Sequence, residues 1–328
     1  MSPSETCYRL TTMRRRLLVI LAFLVLGSAV AATGPLRCYI CGTLIPTPGK
    51  YYQVEGGKEV YCERCYLESP RCSVCTLPTA AGDVDPETGA CTKCLAKLLR
   101  CKACGKPILG TSYRFPFGKG IFCAECKNNR HACDLCGVPV GDTHWNYPDG
   151  RIICNDCGER AVFNVEAIHS IVRYARETIE KRLGLKVKHP YTVRVEKLSG
   201  LTSPAPKPGA KDVAANGALY GKELGMYRVE NGKSEIVLLF GLPPDLLYET
   251  AAHEYAHAWQ TENNLGTLEP ELFEGFAQWV AAEVLREKGF QGALEKLETR
   301  TDFPYGTGYQ RLKSLHQKAI LELIQQRR

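Results

Sequence analysis

The sequence predicts a chain in two parts, a run of small cysteine-built modules followed by a compact α+β domain over residues 161–328. Three observations carry that expectation. Sixteen of the 17 cysteines form eight Cys-x-x-Cys pairs between residues 38 and 157, and residues 158–328 hold none. Beyond residue 159, apolar residues recur at helical spacing, interrupted by short alternating runs of strand type. The composition is otherwise ordinary, at 45% hydrophobic and 23% charged residues, which excludes whole-chain disorder, a collagen repeat and a multi-span membrane protein.

The chain opens on an export pattern. Arg14-Arg15-Arg16 precede an apolar run from Leu17 to Ala32, with Ala29 and Ala31 in an A-x-A arrangement. Basic, apolar and small-residue segments in that order predict a signal peptide over residues 1–32, and hence a secreted or periplasmic protein. The alternative is an uncleaved membrane anchor, although this run of sixteen is shorter than the roughly 20 apolar residues that span a bilayer. Met13 offers a second start, which leaves Cys7 outside the protein.

The cysteine pairs alternate between long and short gaps. Within successive sets the gaps are 20, 15, 18 and 17 residues, and between sets they are always 6. That regularity selects four tetrads: Cys38/Cys41 with Cys62/Cys65, Cys72/Cys75 with Cys91/Cys94, Cys101/Cys104 with Cys123/Cys126, and Cys133/Cys136 with Cys154/Cys157. Four thiolates on two turns suit tetrahedral structural zinc, about four ions in all. Cys38, Cys41, Cys91 and Cys94 recur 63 residues later, which indicates tandem duplication with boundaries near 37–97 and 98–160. Modules this small cannot bury a sufficient core, so metal supplies their folding energy. Disulfides and redox-active dithiols are the rival readings. An exported chain permits disulfides, but vicinal pairs repeated eight times make poor staples.

The net charge of +7 says little about partners. Residues 1–32 account for +3 of it, and four divalent ions on sixteen thiolates take residues 33–160 from +3 to −5. No nucleic-acid partner is expected, nor any membrane contact beyond the signal segment.

The second half reads as helix, strand, loop, hairpin and helices. Val162 to Leu183 repeats at helical spacing and stops at Gly184. Tyr191-Thr-Val-Arg-Val alternates as a strand, and residues 199–218 are a loop rich in Pro, Gly and Ala. Met226-Tyr-Arg-Val, Asn231-Gly232 and Ile236–Phe240 form a β-hairpin.

Leu242-Pro243-Pro244 starts a long helix carrying His253-Glu254-Tyr255-Ala256-His257. Residues 253 and 257 lie one turn apart, so their imidazoles can share one zinc ion, with Glu254 as general base toward the attacking water. A catalytic zinc needs a third protein ligand. Glu274, 17 positions after His257 on a return helix near Pro270, suits that role, with Glu271 one turn earlier as the alternative.

Paired modules of this kind resemble LIM domains over residues 38–94 and 101–157. LIM domains join their zinc sites by two residues and often use a His ligand; here the spacer is six and every ligand is Cys. His-Glu-Tyr-Ala-His-Ala-Trp followed by Phe-Glu-Gly-Phe-Ala resembles the gluzincin signature of aminopeptidase N-type enzymes, in which the Glu before Gly-Phe-Ala is the third ligand. With Phe240-Gly-Leu-Pro, Gln278 and Ala281 added, the chain is similar to the plant LIM-containing, ubiquitin-activated peptidases that limit organ size. That resemblance implies a zinc metallopeptidase acting on protein or peptide substrates, with Glu235–Phe240 as a sheet-edge strand that pairs with extended substrate backbone. It also implies a Tyr that steadies the oxyanion, matched at Tyr305 with Tyr309 second. Ubiquitin activation does not carry over, because no ubiquitin-interaction segment is evident, and neither does aminopeptidase specificity. The alternative is a binding protein whose ribbons dock a protein partner beside an inert peptidase-like domain.

Overall fold

A computed structural model describes residues 8–10, 35–46, 49–54, 58–115, 119–197 and 224–326. The predicted signal segment lies outside them, apart from the backbone of strand β1 (Tyr8–Leu10), and so does the predicted loop over 199–218. Among the described residues no helix is long and apolar enough to cross a membrane.

The cysteine-rich part repeats one local design. In each tetrad the first Cys-x-x-Cys turn closes with a backbone hydrogen bond from the residue after the second Cys to the first Cys carbonyl: Gly42, Thr76, Gly105 and Gly137, at 2.8–2.9 Å. All four have φ between 62° and 76°, the left-handed region. Three are Gly, the residue without a Cβ penalty there. Thr76 is the exception. Arg37, Arg71 and Arg100, each just before a first Cys, donate from Nη1 to the carbonyl of that left-handed residue at 3.2 Å. The repeat is therefore fourfold at the level of the turn, finer than the twofold period in the cysteine spacing.

The second Cys pair of each tetrad opens a short helix. Strands β2 (Tyr51–Gln53) and β3 (Val60–Cys62) pair antiparallel and lead into α1 (Glu63–Glu68). Cys91 precedes α2 (Thr92–Leu95). Strands β4 (Ser112–Phe115) and β5 (Gly120–Cys123), in a sheet ordered β1-β4-β5, lead into α3 (Ala124–Asn129). Strands β6 (Trp145–Asn146) and β7 (Ile152–Ile153) lead into α4 (Asn155–Glu159).

The chain divides into two compact units. From residue 35 on, one comprises 35–101 and 105–112, the other 102–104 and 113–326. The first has only a small apolar interior: one cluster buries Cys38, Ile45 and Cys65, another Cys72, Ala90 and Cys91, and Tyr61 and Ile108 are buried as well.

The second unit has a conventional core. Helix α5 (Val165–Leu183) is capped by Asn164, whose Oδ1 accepts from the Ala167 amide at 2.7 Å, and ends at Gly184 with φ 70°. It buries the stripe Ile168, Ile171, Val172, Ala175, Ile179 and Leu183. Strands β8 (Tyr191–Glu196), β9 (Gly225–Glu230) and β10 (Lys233–Leu239) form one sheet in the order β8-β10-β9. The β9–β10 hairpin turns through Asn231 and Gly232, both left-handed, as two-residue hairpins of type I′ require.

Here one expectation is corrected. The Glu235–Phe240 strand is central, not an edge, because β8 pairs with it in parallel, Val193 opposite Ile236. The consecutive apolar run Ile236-Val237-Leu238-Leu239, wholly buried, is the mark of a strand covered on both faces. Helices α6 (Pro244–Glu262), α7 (Pro270–Lys288), α8 (Gln291–Glu298), α9 (Tyr305–Leu312) and α10 (Gln317–Gln326) complete the unit. Helices α7 and α9 touch backbone to backbone at Gly275 and Gly308, where a Cβ on either would collide with the other's main chain.

Candidate metal centres

Among the described residues, five groups of side chains bring metal-ligating atoms together, with all ligand atoms of a group within 4.8 Å of one another: the four expected cysteine tetrads, and His253, His257 and Glu274. The distances suit zinc. A tetrahedral ion with Zn–S bonds of about 2.3 Å spaces its sulfurs about 3.8 Å apart. Cys41 and Cys62 Sγ are 3.9 Å apart, and Cys136 and Cys154 Sγ 3.6 Å. None of the sixteen described cysteines of the tetrads forms a disulfide.

Local structure favours the thiolate at some of these sulfurs, whereas burial and the neighbouring thiols push others up, Cys65, Cys75 and Cys94 among them. Cys72 Sγ accepts hydrogen bonds from the backbone amides of Val74, Cys75 and Cys91 at 3.4, 3.5 and 3.2 Å. Against burial, which raises a thiol pKa, those amides bring it down to about 6. Thr43 does the same for Cys41, its hydroxyl 3.2 Å away, also to about 6. Cys154 N donates to Cys133 Sγ at 3.2 Å, the same arrangement in the fourth tetrad. Lys119, ion-paired to Asp156 at 2.7 Å, adds a cation near the Cys136 and Cys157 sulfurs.

The fifth group stands on α6 and α7. One helical turn separates His253 from His257, and their Nε2 atoms are 2.9 Å apart. Glu274 Oε2 reaches across from α7 to 3.2 Å from His253 Nε2 and 3.3 Å from His257 Nε2. For a tetrahedral ion with bonds of 2.0–2.2 Å to N and O, donor atoms sit about 3.3 Å apart, so these three edges fit one zinc ion within a few tenths of an ångström. Glu274 Oε2 is buried yet accepts no well-formed hydrogen bond, the condition of an atom whose natural partner is a cation. Burial would raise the Glu274 pKa, but the two imidazoles hold it at about 2. Burial and the neighbouring His257 bring His253 down to about 4. His257 goes the other way: against burial, the Glu274 and Glu254 carboxylates push it up.

Of the two sequence candidates for third ligand, the cluster takes Glu274. Glu271 Oε2 instead lies 3.3 Å from Arg311 Nη1. Glu254, on α6 between the two His residues, is 5% exposed. Gly225 at the start of β9 lets the sheet approach it closely: a Cβ there would stand 3.2 Å from Glu254 Cγ. The Tyr305 ring centroid lies 5.9 Å from that of His253, and the Arg300 guanidinium carbon lies 5.3 Å from the Tyr305 centroid. Tyr309 is buried and directs its hydroxyl to Glu298 at 3.3 Å, which separates it from the cluster.

One residue was missed by sequence reasoning. Gln260 Oε1 lies 2.8 Å from His257 Nδ1, and Gln260 Nε2 donates to the Phe273 carbonyl at 2.9 Å. That chain places the proton on Nδ1 and turns the Nε2 lone pair toward Glu274. Its signal was spacing: Gln260 lies three residues after His257 on the same helix.

Donor chemistry and spacing together make this a chain able to bind several metal ions, zinc by preference at the cysteine tetrads. No protein-family model matches the sequence, and no curated protein matches it.

Proposed function

We propose that the chain is a zinc-dependent metallopeptidase of gluzincin type, exported, with four structural zinc ions in LIM-like ribbons and one catalytic ion. The observation that supports this best is the convergence of His253 Nε2, His257 Nε2 and Glu274 Oε2 with Glu254 buried on the same helix. Three protein ligands leave a position for water or substrate, which four-ligand structural sites do not. Bound zinc would supply Lewis acidity toward a peptide carbonyl and its attacking water. Glu254 takes the proton from that water and returns it to the departing amine. Tyr305, beside His253, donates its hydroxyl to the oxygen that gains charge as the carbonyl becomes tetrahedral. Gln260 holds His257 in the required tautomer. The substrate is a protein or peptide.

The test is Glu254→Gln in the full chain, assayed on a mixed-sequence peptide library. Gln keeps the shape and cannot accept the proton, so hydrolysis falls by about 10²- to 10⁴-fold while bound zinc is unchanged. Hydrolysis at the native rate in that variant overturns the mechanism.

A further inference from the structure

The fourth tetrad lies in the same compact unit as the His/Glu cluster, and a continuous set of contacts runs from one toward the other. Asp134, between Cys133 and Cys136, exchanges two hydrogen bonds with Ile152: its Oδ2 accepts from the Ile152 amide at 2.6 Å, and its own amide donates to the Ile152 carbonyl at 3.0 Å. The adjacent residue is Arg151, whose side chain is 1% exposed. Its Nε lies 3.1 and 3.0 Å from the two Asp149 carboxylate oxygens. Its Nη2 donates to the Phe240 carbonyl at 2.8 Å, and its guanidinium carbon lies 4.9 and 4.8 Å from the centroids of the Tyr147 and Phe240 rings. Tyr147 adds a hydrogen bond from its hydroxyl to the Gly241 carbonyl at 3.2 Å.

Residues 240 and 241 lie between β10 and α6, the helix that carries His253, Glu254 and His257. Gly241 has φ 69°, and a Cβ there would stand 2.7 Å from the Tyr147 ring and 2.9 Å from the Phe163 ring. The β6–β7 hairpin thus grips the main chain at the root of the active-site helix. A buried guanidinium is costly to desolvate, and this one uses its carboxylate partner and two aromatic faces to hold a single backbone carbonyl.

We propose that Arg151 is a positioning residue for the His253–Glu254–His257 helix, and that metal at the Cys133/Cys136/Cys154/Cys157 tetrad keeps it in place. The fourth ribbon is then part of the catalytic scaffold, and losing its metal loosens α6. The inference deepens the peptidase reading and rests on it for its catalytic meaning, although the coupling itself is independent of catalysis.

The experiment is hydrogen exchange of the peptides covering residues 247–253, on the full zinc-loaded chain. Arg151→Met keeps an unbranched apolar stem and removes every donor; Cys154→Ser breaks the tetrad. Both are expected to raise exchange there at least tenfold. Arg151→Lys, which retains a charged donor, restores exchange to within threefold of native. Ile324→Ala, a core truncation in α10, serves as the control for general destabilisation and leaves the ratio of α6 to α5 exchange unchanged. Native-like α6 exchange in Arg151→Met, or the same rise in the Ile324→Ala ratio, overturns the proposal. Native-like α6 exchange in Cys154→Ser overturns the part given to the metal, and Cys136→Ser takes its place should Cys154→Ser not purify. Failure of the peptidase reading registers separately, as absence of peptide hydrolysis in the native chain, and leaves the exchange result intact.

Discussion

The unit holding the first two tetrads and the unit holding the His/Glu cluster stay folded by different means. In the first, ligands make up most of two small buried clusters: Cys38 and Cys65 around Ile45, Cys72 and Cys91 around Ala90. In the second, α5 buries a six-residue apolar stripe, and β10 buries four consecutive side chains. The difference teaches where each unit's stability resides. Apolar burial contributes roughly 25 cal/mol per Å² wherever there is a core to bury. A module built around four sulfurs has little such area and depends on metal–ligand bonds instead.

Removing metal draws the sharpest line between the two. Structural zinc contributes about 10–16 kcal/mol to the folding of small modules, so a strong chelator at neutral pH unfolds residues 35–112. The buried amides of α5 and α7 keep their protection. Hydrogen exchange across the full chain reads both regions at once. Joint loss of protection in both, or persistence of the ribbons without metal, breaks the contrast.

A second prediction separates ligand from support within the His/Glu cluster. Gln260→Ala leaves both His ligands in place but frees the His257 ring from its partner. Metal affinity at that site drops about 10- to 100-fold, by titration with a chromophoric chelator, and the cysteine sites are unaffected. An unchanged affinity removes Gln260 from the account. The two tyrosines provide a third comparison. Tyr305→Phe lowers kcat about 10²-fold with KM within twofold, as loss of a single oxyanion donor does. Tyr309→Phe, whose hydroxyl is occupied by Glu298, leaves kcat within threefold. Reversal of that order in steady-state kinetics exchanges their roles.

The smallest effect lies in the ribbons. Thr76 is a β-branched residue at φ 62°, where Gly42, Gly105 and Gly137 occupy the matching turns. Thr76→Gly relieves about 1 kcal/mol of backbone strain, read as greater resistance of residues 72–94 to chelator-induced unfolding. A destabilised variant shows instead that the Thr76 hydroxyl, 2.6 Å from the Cys75 carbonyl, matters more than its backbone.

What the sequence made legible follows from how local each signal is. The tetrads were readable because a Cys-x-x-Cys pair is a single turn, and the gap pattern admits one regular pairing. His253 and His257 needed only a helix, and Glu274 only a short return. Gly184 and the Asn231-Gly232 turn were visible because each marks a backbone conformation that few residues accept. The central place of β10 was not visible in alternation alone, since its parallel partner β8 lies about 40 positions earlier. Arg151 was invisible for the same reason: nothing near it in sequence signals a carbonyl 89 residues away. Gln260 stood close by, but a polar residue on a helix looks the same whether it faces solvent or an imidazole.

The most direct test of the account is the metal content of the full chain beside that of His257→Ala, by elemental analysis on protein purified without chelator. The account predicts about five zinc ions per native chain, held by the four tetrads and the His253/His257/Glu274 cluster, and about four in the variant. Four ions in both would mean that the cluster on α6 and α7 holds no metal and would contradict the proposed chemistry.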